Sequence, residues 1–160
     1  MDKEQLQLFI DNYEALDFDK IKFDWNGQHG NSFNDKNDGF RIELCEYIIP
    51  QIHKVKLELI RDLYLELAKK SKESWSIYDK FNLFGQELLI RGGTTFLMDY
   101  MHGASLSFDT SLSSGNIKIN KDIALQLVDY IEKKIENSGE EENTKFYERF
   151  KQRFIWLANK

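Results

Sequence analysis

The chain reads as an all-α protein: a single-domain bundle of about six or seven helices over residues 1–160, with one long N-terminal loop and possible short extended segments. Three observations predict this. Apolar residues recur at i, i+3, i+4 and i+7 along most of the sequence, the period of one face of an α-helix. Only one proline and nine glycines interrupt the pattern. Apolar residues make up 41% and aromatic residues 14% of the 160, enough for an unaided core and unlike a disordered chain.

Leu6, Phe9, Ile10 and Tyr13 mark a first helix over residues 3–15. Residues 18–39 then read FDKIKFDWNGQHGNSFNDKNDG, crowded with the Asn, Asp and Gly that set turns through local side-chain bonds and positive φ. Loops of this length are uncommon in compact domains and are often functional. Within it, Lys20–Trp25 alternates enough to allow an extended segment. Helical spacing resumes at Phe40, Leu44, Tyr47 and Ile48, and Pro50 should end or kink that helix.

Leu57, Ile60, Leu63, Tyr64, Leu67 and Ala68 predict a helix to about Lys72, and another runs from about Lys80 to Arg91. Gly92–Gly93 supplies its stop. Thr94 or Thr95 can cap the next helix, which carries Phe96, Leu97, Tyr100 and Met101. Residues 103–116, GASLSFDTSLSSGN, are dominated by small hydroxyl residues; the segment can start as helix but should be loop by Ser113–Gly115. Residues 116–120 (NIKIN) allow a short extended piece. Asn120 looks like the N-cap of a helix to about Glu136, with Ile123, Leu127, Tyr130 and Ile131 inward. Asn137-Ser138-Gly139 reads as a turn, and Glu140–Glu142 suit the start of a last helix carrying Phe146, Tyr147, Phe150, Phe154 and Leu157.

Net charge is −5, and residues 1–40 carry all of it: nine acids stand there against Lys3, Lys20, Lys22 and Lys36. An acidic surface disfavours nucleic acid, which is bound by displacing counterions with lysine and arginine. It favours a basic partner and speeds the encounter. The lone Cys45 excludes an intrachain disulfide framework and argues for a reducing compartment. No apolar run approaches the length of a membrane span, and the N-terminus lacks the features of a secretory signal. The expectation is a cytoplasmic protein with no membrane and no nucleic-acid partner.

Motifs for chemistry are sparse. His29, His53 and His102 sit in unrelated contexts and form no i, i+4 ligand pair. The Asp-rich loop fails as a calcium loop: with Gly39 as the invariant glycine, Lys36 falls at a ligand position and Cys45 at the last one. Gly103-Ala-Ser105-Leu-Ser107 resembles a nucleophile elbow but ends in serine and lacks the preceding strand; small residues that let helices approach closely, or a polar loop, explain it better. Cys45, beside Leu44 and one turn from Ile48, reads as a small core residue. Gly92–Gly93 and Gly27…Gly30 complete no phosphate loop. No metal or cofactor is expected. Trp75 and Trp156 are assigned to the core by base rate, whereas Trp25, among polar turn residues, reads as a binding anchor.

Three stretches together, FDWNGQHGNSF (23–33), ELIRDLYLELAKKSKESW (58–75) and LFGQELLIRGGTTFLMDYMHGASLSFDTSLSSG (83–115), resemble the cytoplasmic immunity proteins of contact-dependent growth inhibition and related polymorphic toxin systems. The resemblance implies a non-enzymatic protein that occludes the active or substrate face of a cognate toxin, often a nuclease. No functional residue carries over by a matching motif. The residues themselves suggest Asp17, Asp19, Asp24, Asp35 and Asp38 as a steering rim for a basic toxin face, Trp25 as the apolar anchor, and Asp109 and Ser113 as a second contact edge. Two other readings remain open: a helical adaptor with a non-toxin partner, and a small hydrolase or transferase with a site dispersed over Asp99, His102 and Ser105.

Overall fold

In a computed structural model describing residues 2–137 and 141–160, the apolar stripes become eight α-helices linked by four 3₁₀ segments, with no strand among the described residues. Helix α1 (Lys3–Asn12) starts at a capping box in which Asp2 accepts from the Gln5 amide at 2.8 Å and Gln5 answers to the Asp2 amide, satisfying two otherwise orphaned donors. It is shorter than its stripe: Tyr13 leaves helical geometry, and a 3₁₀ segment, Ala15–Lys20, comes next. Tyr13 is nonetheless buried, with its hydroxyl donating to Asp62 at 2.7 Å.

The long loop is therefore shorter and more ordered than expected. Two 3₁₀ pieces, Ala15–Lys20 and Gly30–Ser32, cover six of its 22 residues, and α2 (Asp38–Ile48) begins before Phe40. The extended segment expected at Lys20–Trp25 reduces to one antiparallel bridge, Trp25 with Asp35. Helix α2 buries Leu44, Cys45 and Ile48, and burial pushes the Cys45 thiol up, away from its reactive form. Pro50 converts the continuation into the 3₁₀ segment Ile49–Lys54.

Helices α3 (Leu57–Ser74) and α4 (Phe81–Gly92) pack together across the centre, and Gly93 at φ 53° terminates α4. Thr94 and Thr95 do not cap the next helix. They lie in a 3₁₀ turn, Gly93–Thr95, and Phe96 precedes α5 (Leu97–Gly103) without a side-chain cap.

The serine-rich segment starts as helix at Gly103, the end of α5, but turns at 104–107, and a further helix, α6 (Phe108–Ser114), runs two residues into the stretch expected as loop. Ser107 and Thr110 explain it. The Ser107 hydroxyl accepts from the Thr110 amide at 3.1 Å and the Thr110 hydroxyl accepts from the Ser107 amide at 3.0 Å, a reciprocal cap that offsets the weak helix propensity of serine. Residues 117–120 pair with no strand and lead to Asn120, which caps α7 (Lys121–Glu136) by accepting from the Ile123 amide at 2.8 Å. Helix α8 (Glu141–Ala158) packs along α7. The expected turn at Ser138-Gly139 and first acid of the last helix, Glu140, lie outside the described residues.

One hydrophobic cluster runs from Leu6 in α1 to Leu157 in α8. At its centre Tyr64 stacks 4.5 Å from Phe81 and 6.0 Å from Tyr100, and its hydroxyl donates to the Tyr100 carbonyl at 3.0 Å. Gly103 permits this approach, because a Cβ there would sit 2.4 Å from Tyr64 Cε1. Since Tyr64 is pinned at ring and hydroxyl, Gly103→Ala should cost about 1–3 kcal/mol by overpacking. A urea melt reads this directly; an unchanged midpoint would mean that α5 shifts freely against α3.

Candidate functional site: an aromatic shelf on the N-terminal loop

The loop between the 3₁₀ segment and α2 is organised by three buried charged side chains, Arg41, Asp35 and Glu66. Arg41, wholly buried, pairs with Asp35 and donates to the carbonyls of Ile21 at 3.1 Å and Lys22 at 3.3 Å. Asp35 also accepts from the amides of Asp24 at 3.1 Å and Asn37 at 3.2 Å. Glu66 of α3, 2% exposed, accepts from the Phe23 amide at 2.6 Å and pairs with Lys69. Asn37 ties the carbonyls of Asp19 and Lys22, while the Asn26 side chain closes the tip onto Ser32 at 2.7 Å. Two backbone bonds, Asn26 N to Asn34 O and Lys36 N to Asp24 O, zip the loop's sides. Backbone groups that a free loop would leave to water are thus met internally.

This scaffold holds a stack of rings. Trp25 lies 6.2 Å from both Phe23 and Phe33 at low interplanar angles, with its indole N–H donating to the Gln28 carbonyl at 2.9 Å. His29 sits 4.9 Å from Trp25 and stacks on Trp75, 5.9 Å away. Its Nδ1 meets the Glu73 carbonyl at 3.0 Å. A carbonyl only accepts, so Nδ1 carries the proton, and the bond fixes the loop to the end of α3.

Trp75 is the unusual member. It ends α3 at φ 54° and ψ 31°, in a left-handed conformation that side-chain-bearing residues rarely adopt, and it is 81% exposed. Such a conformation costs about 1–2 kcal/mol, and helices normally place glycine or asparagine there. A cleft of about 380 Å³ beside it is lined by His29, Phe33, Trp75, Asp38, Lys70 and Glu73. Ser71, one turn before Trp75, meets the Ser107 hydroxyl at 3.1 Å, so the start of α6 packs on α3. Phe108 there is 81% exposed and Leu112, one turn on, is also exposed.

The residues expected at the site divide. Trp25 is in the shelf, but half-buried within the ring stack. Asp24 is half-buried beside it. Asp35 is a correction: buried against Arg41, it is part of the loop's frame, and its replacement would cost stability before it touched any association rate. Asp38 pairs with Arg41 at 3.2 Å and Lys70 at 2.6 Å. Asp17 and Asp19 pair with Lys20 at 2.8 Å and Lys22 at 3.0 Å; the Lys20 bond holds the Asp17 carboxyl below its ordinary range. Lys20 and Lys22, interspersed among these acids, are the partners of Asp17 and Asp19. Asp109 and Ser113 lie on α6, both half-buried.

Trp75 and Trp156 are further corrections, since both are exposed and neither belongs to the core. Trp75 was hidden by its register. It comes after Tyr64, Ala68 and Ser71 on the buried stripe of α3, and only the left-handed turn swings it outward. A tryptophan between serines at a helix end, with no apolar neighbour, was the available signal.

The dispersed catalytic set does not come together as an activated nucleophile. The Ser105 hydroxyl donates to the Met101 carbonyl at 2.7 Å and accepts from Arg149 at 2.7 Å, so no base holds its proton. Burial raises the Asp99 carboxyl above its ordinary value, while His102 on the same helix is exposed. Among the described residues no group of three metal-capable side chains converges, and no helix is long and apolar enough to cross a membrane. The chain matches no protein-family model, no curated protein and no solved structure.

Proposed function

We propose that this chain is a protein-binding module whose contact face is the aromatic shelf, and that its partner is a toxin domain which it neutralises by covering the active or substrate face. The observation that carries the reading is Trp75: a large apolar ring kept in a strained backbone conformation, exposed, and backed by His29 and Trp25. Strain of this kind persists only where the surroundings enforce it, and it concentrates at functional positions. A rigid, exposed aromatic residue loses little entropy on binding and is the typical energetic anchor of an interface.

The toxin half of the proposal comes from the resemblance of the stretches 23–33, 58–75 and 83–115, two of which supply the shelf's rings. Local pairing of Asp17, Asp19 and Asp38 weakens their separate pull on a partner, yet the chain's net −5 still attracts a basic surface at long range. Steering belongs to the whole molecule, and affinity belongs to the shelf.

Co-expression with the toxin domain encoded beside this gene should restore growth, and the two proteins should elute as one stoichiometric complex. Growth rescue without a complex, or rescue through chemical modification of the toxin, would overturn the reading. A stable complex with a non-toxin partner would keep the binding module and remove the toxin.

A further inference from the structure

Away from the shelf, α8 carries two arginines that face no carboxylate among the described residues. Five arginines occur in the chain, and three face carboxylates: Arg41 with Asp35 and Asp38, Arg61 with Asp62, and Arg91 with Glu87. Arg149 and Arg153 meet only neutral oxygens among the described residues. Arg149 donates to the Ser105 hydroxyl at 2.7 Å, and Arg153 donates to the Ser111 carbonyl and hydroxyl, both at 3.1 Å. Their guanidinium carbons lie 5.0 and 5.2 Å from the centre of the same ring, Phe150. Arg153 is half-buried, and its Nη1 is shut from solvent without a hydrogen-bond partner among the described residues.

A partly desolvated cation without a counter-charge is unfavourable, and here two share one ring in a protein with 27 acids to draw on. The geometry points to an oxyanion site between α8 and the 105–111 segment, in which a phosphate group binds the exposed Arg149, held in place by Ser105, together with the Ser111 hydroxyl, and Arg153 adds its charge from behind. A phosphate is favoured over a carboxylate because its charge of about −1.5 to −2 matches two guanidiniums. Its several acceptor oxygens also suit arginine and serine donors arranged side by side. The site is separate from the shelf and does not depend on what the shelf binds.

The test is calorimetric titration of the whole chain at constant ionic strength with inorganic phosphate, free phosphoserine and succinate as probes. Phosphate and phosphoserine should bind in the millimolar range or tighter, and Arg149→Gln should weaken both about tenfold or more, the loss of one charge-assisted bond. Arg149 is exposed, so this variant should melt with the parent. Lys118→Gln, which removes an exposed charge elsewhere, should bind as the parent does. Phosphoserine affinity should fall below about pH 6, where the phosphate loses its second charge. The two phosphate probes also separate sources: phosphoserine binding well above inorganic phosphate indicates a phosphate ester, and the reverse a free ion. The proposal is overturned by no binding at millimolar probe, by equal affinities in parent and Arg149→Gln, or by succinate binding as tightly as phosphoserine.

Discussion

Arg41→Ala should be among the most damaging single substitutions in the chain, costing about 3–5 kcal/mol because it leaves Asp35 charged, buried and unpaired. At about 2–4 °C per kcal/mol for a domain of this size, the melting temperature should fall by about 6–20 °C. Arg41 joins Asp35, Asp38 and the carbonyls of Ile21 and Lys22 in one fork, so its loss should also free the loop from α2. Limited proteolysis should then cut between Phe23 and Asn34, where the parent resists. Lysine offers one compact ammonium for a planar group with several fixed donors, so Arg41→Lys should rescue little. Asp35→Asn should destabilise in the same direction while retaining an acceptor for the Asp24 and Asn37 amides. A melting temperature within about 2 °C of the parent for Arg41→Ala would show that the loop does not depend on this buried pair.

Trp75→Gly should separate binding from stability. Glycine adopts the left-handed conformation freely, which recovers about 1 kcal/mol. Losing the stack on His29 costs a comparable amount, about 0.5–1.5 kcal/mol, and the ring is 81% exposed, so little burial is lost. Stability should therefore change by less than about 1 kcal/mol. Dissociation from the proposed toxin partner should nevertheless quicken about 30-fold, the equivalent of an anchor worth about 2 kcal/mol. Trp25→Ala is the contrasting case: half-buried among Phe23, Phe33 and His29, it should lower stability as well as affinity. Rapid-mixing kinetics and thermal melts on the same variants distinguish the two. If Trp75→Gly bound as tightly as the parent, the shelf would not be the contact face, and the exposed Phe108 and Leu112 of α6 would be the next surface to test.

Helix content was legible wherever an apolar stripe repeated over several turns, as in α3, α4, α7 and α8. There periodicity runs over several turns, and the Asn120 cap of α7 and the Gly93 stop of α4 agree with it. It was least legible at α6, where seven residues rich in serine carry no stripe and the helix rests on one reciprocal cap and on burial of Thr110 and Ser114. The site was legible in part. Trp25 stands out because it interrupts a polar stretch. Trp75 does not, because it stays in phase with a buried stripe until a single left-handed residue turns it outward.

The acids of the first 40 residues show the same division. Composition determined their number and therefore the net charge of −5, since no fold can change that count. Which of them face solvent depended on partners elsewhere in the chain: Arg41 and Lys70 for Asp38, and Arg41 for Asp35. The sequence by itself determined the helical class, the core stripes and the excess of acid, because each comes from local spacing or from counting. Only the tertiary structure decided that Asp35 is frame, that Trp75 is surface, and that Arg149 and Arg153 face hydroxyls instead of carboxylates among the described residues. Those properties belong to pairs of residues brought together from distant positions, and one-dimensional spacing does not encode such distances.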